Sequence, residues 1–516
     1  MQKTLSDSLQ NIVKGTAIIF IGVFISLMLN FIIRIILVRS TTQDEYGIYT
    51  LAITLVTMTS TLSMLGLDEG AARFIAYFTG KSDNSNVKDI IYTSIKLVLI
   101  TSIASTMIFF IFSEFISVQV FHSPELSNIL KIASITVPFM VLTGMLLSIM
   151  RGFNIPRAKV IFNDILKPLL FLVFLIAAIL LNMGFETIIY AYALSVIITL
   201  FAFLAYIKRV YSNKYSELSR TEKTITGELL KFSIPLLSVN VLLMMMSQAT
   251  TLILGHFKTP SIVGEFDIAL LMAGLLLIVL NSIGYMYTPI ISNLFGKDRI
   301  EELKRSYIIT TKWGYMSSLP IFFVFLLFPE TIVNLLFGAR YIGIAFVLQI
   351  VVIGYIINPI TGPNYHTLIA MGRTRFIIES FLMNAILNIV FSILLIPPLG
   401  IIGAAIAVTF SASVANILLS VRLYQILKIH PFTRNYIVSI AISFILVPVF
   451  YLLMKFLAIE PSIFIAIMAF VLYATSYVAL MIVFKAIDNE DVMILSEIER
   501  RIGKYVPILR RKEVIK

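Results

Sequence analysis

Small and polar side chains recur at every fourth position of the first apolar segment, at Gly22, Ser26, Asn30 and Arg34. At this spacing they share one face of a helix, while the other positions are Val, Ile, Leu, Met and Phe. Ionisable residues inside membrane spans usually face a bundle interior or water. The pattern therefore predicts a polar cavity wall on which Arg34 attracts an anionic group such as pyrophosphate or an acidic sugar.

Snorkelling of Arg34 is the alternative interpretation of this face. Arg34 lies near one end of the segment, about five residues or roughly 7–8 Å away at 1.5 Å per residue. Its long side chain reaches headgroups over that distance. Snorkelling does not account for Ser26 and Asn30, which lie deeper, so we favour the cavity.

A second polar face lies on the segment 232–256, where Asn240, Ser247, Gln248 and Thr251 follow at helical spacing. We expect these four residues to line the same substrate cavity. Hydrogen bonding between packed helices is the alternative, because Ser, Thr, Asn and Gln commonly serve that purpose in membranes.

Ionisable residues also lie close to the ends of other apolar segments. Lys96, Lys167 and Lys312 are candidates for a cationic entrance on the inner side, or they snorkel to the inner headgroups. Asp164 precedes Lys167 by three residues, a spacing that predicts an ion pair on one helical face. Asp267 and Asp68 are candidates for binding a coupling ion, H⁺ or Na⁺, although carboxylates at helix ends are usually solvated.

Catalytic chemistry is not indicated. The four histidines, His122, His256, His366 and His430, show no metal-ligand spacing. The "TGKS" at 79–82 ends like a phosphate-binding loop, but Ile75 stands where its first glycine is required. We therefore predict no catalytic residue, no metal and no cofactor.

Composition defines the class of protein. The chain has 516 residues, of which 59% are hydrophobic and 13% charged, and its mean hydropathy is +0.97. Soluble proteins have about 45–50% apolar and about 25% charged residues. The sequence therefore predicts an all-α integral membrane protein. Its net charge of +12 is attributed to loops on the cytoplasmic side and not to nucleic-acid binding.

Apolar runs long enough to cross a bilayer, about 20 residues each, predict about 14 transmembrane helices. Most of the 40 Lys and Arg residues fall on alternate loops, including the loop expected after residue 66, and on the two tails. This asymmetry places both termini in the cytoplasm. The predicted spans are 12–38, 46–66, 90–112, 127–150, 161–182, 186–207, 232–256, 262–288, 307–328, 342–363, 377–396, 400–424, 436–457 and 462–485.

The chain matches itself weakly at a shift of 216–217 residues. Gly47 falls on Gly264, and Arg34 falls on Thr251. We predict two pseudo-symmetric six-helix bundles, 1–207 and 232–424, joined by a cytoplasmic linker at 208–231. Two extra transmembrane helices at 436–485 and a cytoplasmic basic amphipathic tail at 486–516 follow. Transporters built from repeats place the substrate path between the halves.

Three features together resemble the multidrug/oligosaccharidyl-lipid/polysaccharide (MOP) exporter superfamily, and in particular its polysaccharide transporter branch. These are "RIILVRSTTQDEYGIY" at 34–49, "GLDEGAARFIAYFTGK" at 66–81 and the basic turns at 157–159 and 373–375. The resemblance implies a V-shaped fold with a central cavity open to one side at a time. It also implies a groove for a lipid tail at the two extra helices, which are otherwise ordinary apolar helices.

The function predicted on these grounds is that of a flippase. It moves a polyprenyl-diphosphate oligosaccharide from the inner to the outer leaflet of a prokaryotic plasma membrane by alternating access. Its expected partners are this lipid-linked oligosaccharide, membrane lipids and a coupling ion, and the protein is expected to be a monomer. The alternatives are a cation-coupled multidrug exporter of the same superfamily and, less favoured, a membrane glycan-assembly enzyme.

Overall fold

The structure is a computed structural model that describes residues 22–155, 157–215, 226–457, 462–488 and 491–492. These residues are mostly helical, and no β-strand occurs among them. In chain order, the first ten α-helices are α1 Gly22–Ser40, α2 Gln43–Ser63, α3 Leu67–Gly80, α4 Asn84–Phe115, α5 Glu125–Ser134, α6 Thr136–Gly152, α7 Lys167–Leu180, α8 Phe185–Tyr215, α9 Thr226–Phe257 and α10 Pro260–Gly274. They continue with α11 Ile278–Gly296, α12 Ile300–Leu327, α13 Pro329–Phe337, α14 Ala345–Tyr355, α15 Ile357–Thr361, α16 Asn364–Ala370, α17 Thr374–Leu399, α18 Ile401–Leu427, α19 Arg434–Phe456 and α20 Ile463–Val483.

Within the described residues, 12 helical segments are long and apolar enough to cross a membrane, and two bent pairs bring the number up to 14. Each predicted span coincides with helix over most of its described residues. The prediction of an all-α integral membrane protein with about 14 transmembrane helices is therefore confirmed. The predicted spans 46–66 and 307–328 correspond to the two bent pairs. Each of these pairs counts as a membrane span only when its two helices are taken together.

The two bends separate spans from short companion helices. The axis turns by 41° between α2 and α3 and by 91° between α12 and α13. Gly66 forms the first bend with φ of +70°, and a Cβ atom there would overlap the carbonyl oxygen of Ser233 on α9. The sequence predicted a loop after residue 66, but the chain instead forms α3, which packs against α4, α6 and α9.

The chain forms two compact units. The first consists of Met1–Asp267 with Asn388–Ala404, and the second of Ile268–Leu387 with Ala405–Lys516. In the first unit α7 packs on α8 and α2 packs on α9, whereas in the second α12 packs on α11 and α19 packs on α20. The division into two six-helix bundles at a linker stays a prediction.

Some predicted segments lie outside the described residues. They are the first 21 residues, the part 216–225 of the linker, and the basic tail beyond Val492. The predicted cytoplasmic position of both termini and the amphipathic character of the tail therefore stay predictions.

Candidate functional site

The arginine of α1 is paired with a carboxylate in the first unit. Arg34 Nη1 lies 2.5 Å from Asp267 Oδ2, and it donates a second hydrogen bond to the hydroxyl oxygen of Tyr46 at 2.8 Å. The Tyr46 hydroxyl in turn donates to Asp267. The side chains of Arg34 and Asp267 remain 26% and 24% exposed. The predicted substrate residue and one predicted ion-coupling residue thus form a single cluster.

Two glycines allow this cluster to form. A Cβ atom on Gly47 would overlap the carbonyl oxygen of Pro260, and one on Gly264 would lie 2.8 Å from Cδ1 of Tyr46. The first turns of α2 and α10 therefore approach with almost no side chain between them. Gln43 donates to Glu265 at 3.0 Å beside this contact. The two glycines are the positions that the predicted repeat superimposes.

The remaining polar residues of α1 interact with each other. Asn30 Nδ2 donates to the carbonyl oxygen of Ser26 at 2.7 Å and to its hydroxyl at 3.2 Å. Asn30 is exposed, and neither residue lines the cavity described next. In this conformation Asn30 and Ser26 therefore hydrogen-bond to each other within α1 and not to groups in the cavity.

A cavity of about 520 Å³ lies in the first unit between α2, α3, α6 and α9. Ligand pockets in proteins commonly have volumes of about 300–1,000 Å³. Its walls carry hydroxyl and amide groups together with methionines and two aliphatic side chains. The lining residues are Thr57, Met58, Ser60, Thr61, Met64, Asp68, Met140, Val141, Asn240, Leu243, Met244, Ser247 and Gln248.

The polar face predicted on α9 contributes three of its four residues to this cavity. Asn240, Ser247 and Gln248 line it, whereas Thr251 is buried and does not. The amide nitrogen of Asn240 lies 3.4 Å from both carboxylate oxygens of Asp68. Among the described residues of the lining, Asp68 is the one charged side chain, so this part of the cavity has acidic character.

The cavity wall that α2 provides was not predicted from the sequence. Thr57, Ser60 and Thr61 reach the cavity from a helix on which no site residue was predicted. The segment "TLVTMTSTLS" at 54–63 contained the signal, since hydroxyl residues recur there at almost every second position. Each hydroxyl can hydrogen-bond its own helix, as Thr57 and Ser60 do, and this obscured their role.

The three predicted entrance lysines lie in three different settings. Lys96 is exposed on α4, and Lys167 is half-buried at the start of α7. The predicted pairing of Lys167 with Asp164 is not formed, because Asp164 Oδ2 faces Lys159 Nζ at 3.8 Å. The segment Lys159–Leu166 is a π-helix, and its i→i+5 repeat brings these two residues to one face.

Lys312 is buried in a second ionic cluster. Its ammonium group, 2% exposed, donates to Asp488 at 2.7 Å, to Asp491 at 2.5 Å and to the carbonyl oxygen of Ala486 at 2.9 Å. Trp313 Nε1 donates to Asp491 at 2.9 Å. Because two carboxylates balance its charge, Lys312 is not available to an anionic ligand in this conformation.

The two extra helices form an apolar cavity of about 590 Å³. It lies between α19 and α20 and is lined by residues such as Phe450, Leu453, Phe464 and Met468. Thr475 is the only polar side chain among the described residues of this lining. The dimensions and chemistry suit an acyl or prenyl chain, which is the use that the resemblance implied for these helices.

The sequence comparisons agree with this architecture. The family described as "Polysaccharide biosynthesis protein" matches residues 12–295, and the family MatE matches residues 235–394. An uncharacterised membrane protein of Methanocaldococcus jannaschii is 21% identical over 85% of this chain and 89% of its own length. The probable low-salt glycan biosynthesis flippase Agl15 of Haloferax volcanii is 23% identical over 32% of this chain and 35% of its own.

Solved structures share the fold. The lipid II flippase MurJ in an inward closed conformation superposes with a TM-score of 0.70 at 14% identity, covering 90% of this chain and 98% of MurJ. The fold and the family matches define a membrane protein of the MOP exporter superfamily, as the sequence predicted. Since the first family matches more than half of the chain, the protein belongs to the polysaccharide biosynthesis protein family.

Proposed function

We propose that this protein is a flippase for a lipid-linked oligosaccharide, with a polyprenyl-diphosphate carrier as its lipid. It moves this substrate from the inner to the outer leaflet of a prokaryotic plasma membrane, with both termini in the cytoplasm and without an enzymatic step. The observation that carries the proposal is the polar cavity of about 520 Å³ between four helices of an apolar fold.

The cavity suits the sugar part of such a substrate. Transfer of an unpaired hydroxyl or amide into hydrocarbon costs roughly 2–7 kcal/mol. Asn240, Gln248 and the hydroxyl groups of α2 offer replacement hydrogen bonds. The methionines beside them are flexible and adapt to irregular apolar faces. A sugar ring has polar hydroxyl groups and apolar C–H faces, and this lining offers partners for both. The cavity should therefore lower the free-energy barrier for moving the sugar across the membrane.

Alternating access gives the Arg34 cluster its role in this proposal. In the present conformation Asp267 neutralises Arg34, and neither lines the cavity. We propose that Asp267 binds a coupling H⁺ or Na⁺ and releases Arg34, which then attracts the diphosphate. The α19–α20 cavity accommodates part of the lipid tail, and Lys96 and Lys167 act at the entrance.

Export of a cationic compound is the second candidate function. It is favoured by Asp68, the one charged side chain that the described residues contribute to the cavity lining, and by the MatE match to residues 235–394. An acidic cavity attracts an amine, whereas a diphosphate requires Arg34 to become available. The two functions therefore differ in which of these two residues the transported group contacts.

Reconstituted liposomes test the proposal. Purified protein should accelerate the crossing of a fluorescent diphosphate-linked glycolipid, and Asn240→Ala should slow it about five- to tenfold, the value of one hydrogen bond. Asn416→Ala is the matched control, because this amide bonds to Ala412 of its own helix α18 and does not line the cavity.

Two outcomes separate the candidate functions. Glycolipid crossing that depends on Asn240 and Arg34 supports the flippase. Absence of glycolipid crossing, together with accumulation of a fluorescent amine that Asp68→Asn abolishes, would overturn it in favour of an exporter.

A further inference from the structure

Two exposed histidines of the first unit lie side by side, although they come from distant parts of the sequence. His122 comes two residues after the π-helix Ile116–Val120, and His256 is the last residue but one of α9. Their ring centroids lie 5.6 Å apart, and the ring planes are inclined by 49°. The prediction of no metal site rested on sequence spacing, which does not show a contact that tertiary packing makes.

Close packing at the end of α9 brings the two rings together. A Cβ atom on Gly255 would lie 3.1 Å from Cδ1 of Phe121, a buried ring, so the glycine allows the two segments to approach. His122 follows with φ of +52° and turns the chain there. Phe257 makes a T-shaped contact with the ring of His256 at a centroid distance of 4.8 Å. The pair is therefore positioned by packed neighbours, while both imidazoles stay exposed.

The hydrogen bond of His256 determines which of its ring nitrogens can bind a metal ion. Nδ1 lies 2.6 Å from the carbonyl oxygen of Val120. Because a carbonyl oxygen only accepts, Nδ1 carries the hydrogen and donates it. In the neutral imidazole Nε2 is then unprotonated and available as a ligand. Metal-binding histidines usually donate their other N–H in this way, which fixes the tautomer and the ring orientation.

The separation of the rings suits one shared ion. Imidazole nitrogens bind Zn²⁺ at about 2.0–2.1 Å, so two imidazoles on one tetrahedral ion have ring centres roughly 5–6 Å apart. Among the described residues, no group of three or more His, Cys, Asp or Glu could hold a metal. The two histidines are therefore the protein ligands, and water completes the coordination. Both lie at the ends of membrane-spanning helices, Asn84–Val120 and Thr226–Phe257, where spans meet water.

We propose that His122 and His256 together bind one divalent transition-metal ion of the class that prefers imidazole, such as Zn²⁺ or Cu²⁺. The bound ion joins the chain after Ile116–Val120 to the end of α9 and stabilises their packing in this conformation. The proposal is independent of the transported substrate, because neither histidine is a lining residue of the cavity of about 520 Å³.

Metal binding to the purified full-length protein, made without a polyhistidine tag and stripped of metal by a chelator, tests the proposal. Zn²⁺ should bind as one ion per chain and raise the midpoint of thermal unfolding, because it binds the folded state. Mg²⁺ should do neither, since it prefers oxygen ligands. His122→Gln and His256→Gln should each weaken Zn²⁺ binding at least about tenfold, since loss of a hydrogen-bonding partner of a metal ligand alone costs about 10–100-fold.

His430→Gln is the matched control. His430 is also exposed, and its ring lies beside an aromatic ring, that of Tyr424, at a centroid distance of 6.0 Å. Zn²⁺ binding should be unchanged in this variant. An equal loss in His430→Gln and in the variants of the pair would overturn the proposal in favour of general binding to exposed histidines.

Electron paramagnetic resonance of bound Cu²⁺ tests the pair without any substitution. At one equivalent of Cu²⁺, the spectrum should show hyperfine coupling to nitrogens of two imidazoles. Coupling to a single imidazole would overturn the shared site. Zn²⁺ binding that is no tighter in the unmodified protein than in the double variant His122→Gln/His256→Gln would overturn it as well.

Discussion

Two cations within the helices of this protein, Arg34 and Lys312, are neutralised in different ways. Arg34 faces one carboxylate, Asp267, and both side chains keep about a quarter of their exposure. Lys312 faces two carboxylates and is 2% exposed. A buried charge without its partner is strongly destabilising. The Lys312 cluster is therefore expected to stabilise the fold. The side chains of the Arg34 cluster are still accessible to a ligand or ion.

Removal of Lys312 should produce the largest effect on stability. Lys312→Met leaves Asp491 buried without its counter-charge, and breaking such a pair costs about 3–5 kcal/mol. Thermal unfolding in detergent measures the loss. The single tryptophan, Trp313, donates to Asp491, so its fluorescence should shift to the red as the residues after α20 that hold Lys312 loosen.

Lys304→Met is the control for that experiment. Lys304 is paired with Glu301, which is 85% exposed, and an exposed pair contributes about 0–1 kcal/mol. Unfolding midpoints that fall equally in the two variants would show that the buried Lys312 pairs stabilise the protein no more than the exposed Lys304–Glu301 pair.

The Arg34 cluster should respond less in stability and more in transport. Asp267→Asn removes one charge and should cost about 1.5–3 kcal/mol, the range for hydrogen bonds to charged groups. If the pair must open for substrate, Asp267→Asn and Arg34→Gln will both impair glycolipid crossing in liposomes at unchanged protein content. Full transport by both variants would reduce this cluster to a structural pair like that of Lys312.

The glycine contact beside the Arg34 cluster offers a third test. Gly47→Ala would force α2 away from Pro260, and overpacking of this kind typically costs about 1–3 kcal/mol. Gly274→Ala on α10 is the matched control, because no described atom beyond its chain neighbours and its own helix backbone lies within 4 Å of its Cβ position. Thermal unfolding of the two variants measures the difference, and similar midpoints would contradict the close approach.

A neutral buried cluster should give the smallest effect. Thr250 bonds to Asn388 at 2.8 Å and to Ser392 at 3.1 Å. Such bonds in membrane proteins contribute about 0.6 kcal/mol on average. Thr250→Val should therefore lower the unfolding midpoint only slightly. A loss as large as that of Asp267→Asn would mean that charge is not what distinguishes the Arg34 cluster.

The sequence predicts where the helices lie better than it predicts which helices and side chains contact one another. The spans follow from the length of apolar runs, and the polar faces of α1 and α9 follow from helical spacing. The bend at Gly66 was not predicted, because a glycine in the sequence does not show which helix packs against it. Here that helix is α9. The pairing of Arg34 with Asp267 joins residues 233 positions apart, and only tertiary packing determines it.

The same limit explains the entrance lysines. Spacing predicted that Asp164 pairs with Lys167, but a local π-helix changed the periodicity on which that prediction rested. Lys312 looked like a snorkelling residue because its partners belong to a segment beyond the last span. In both cases the sequence identified the charged residue and not the group that balances it.

The contact between Gly47 and Gly264 has an evolutionary consequence. In a symmetric homodimer, a residue on the two-fold axis touches its own copy. Gly47 and Gly264, which the predicted repeat aligns at a shift of 217 residues and which also touch each other, would have that relation within one chain. If the predicted repeat arose by fusion of two such subunits, every other duplicated position became free to diverge. The predicted repeat aligns Arg34 with Thr251 and Asp267 with Thr50, so an unfused ancestor could not have confined this ion pair to one half.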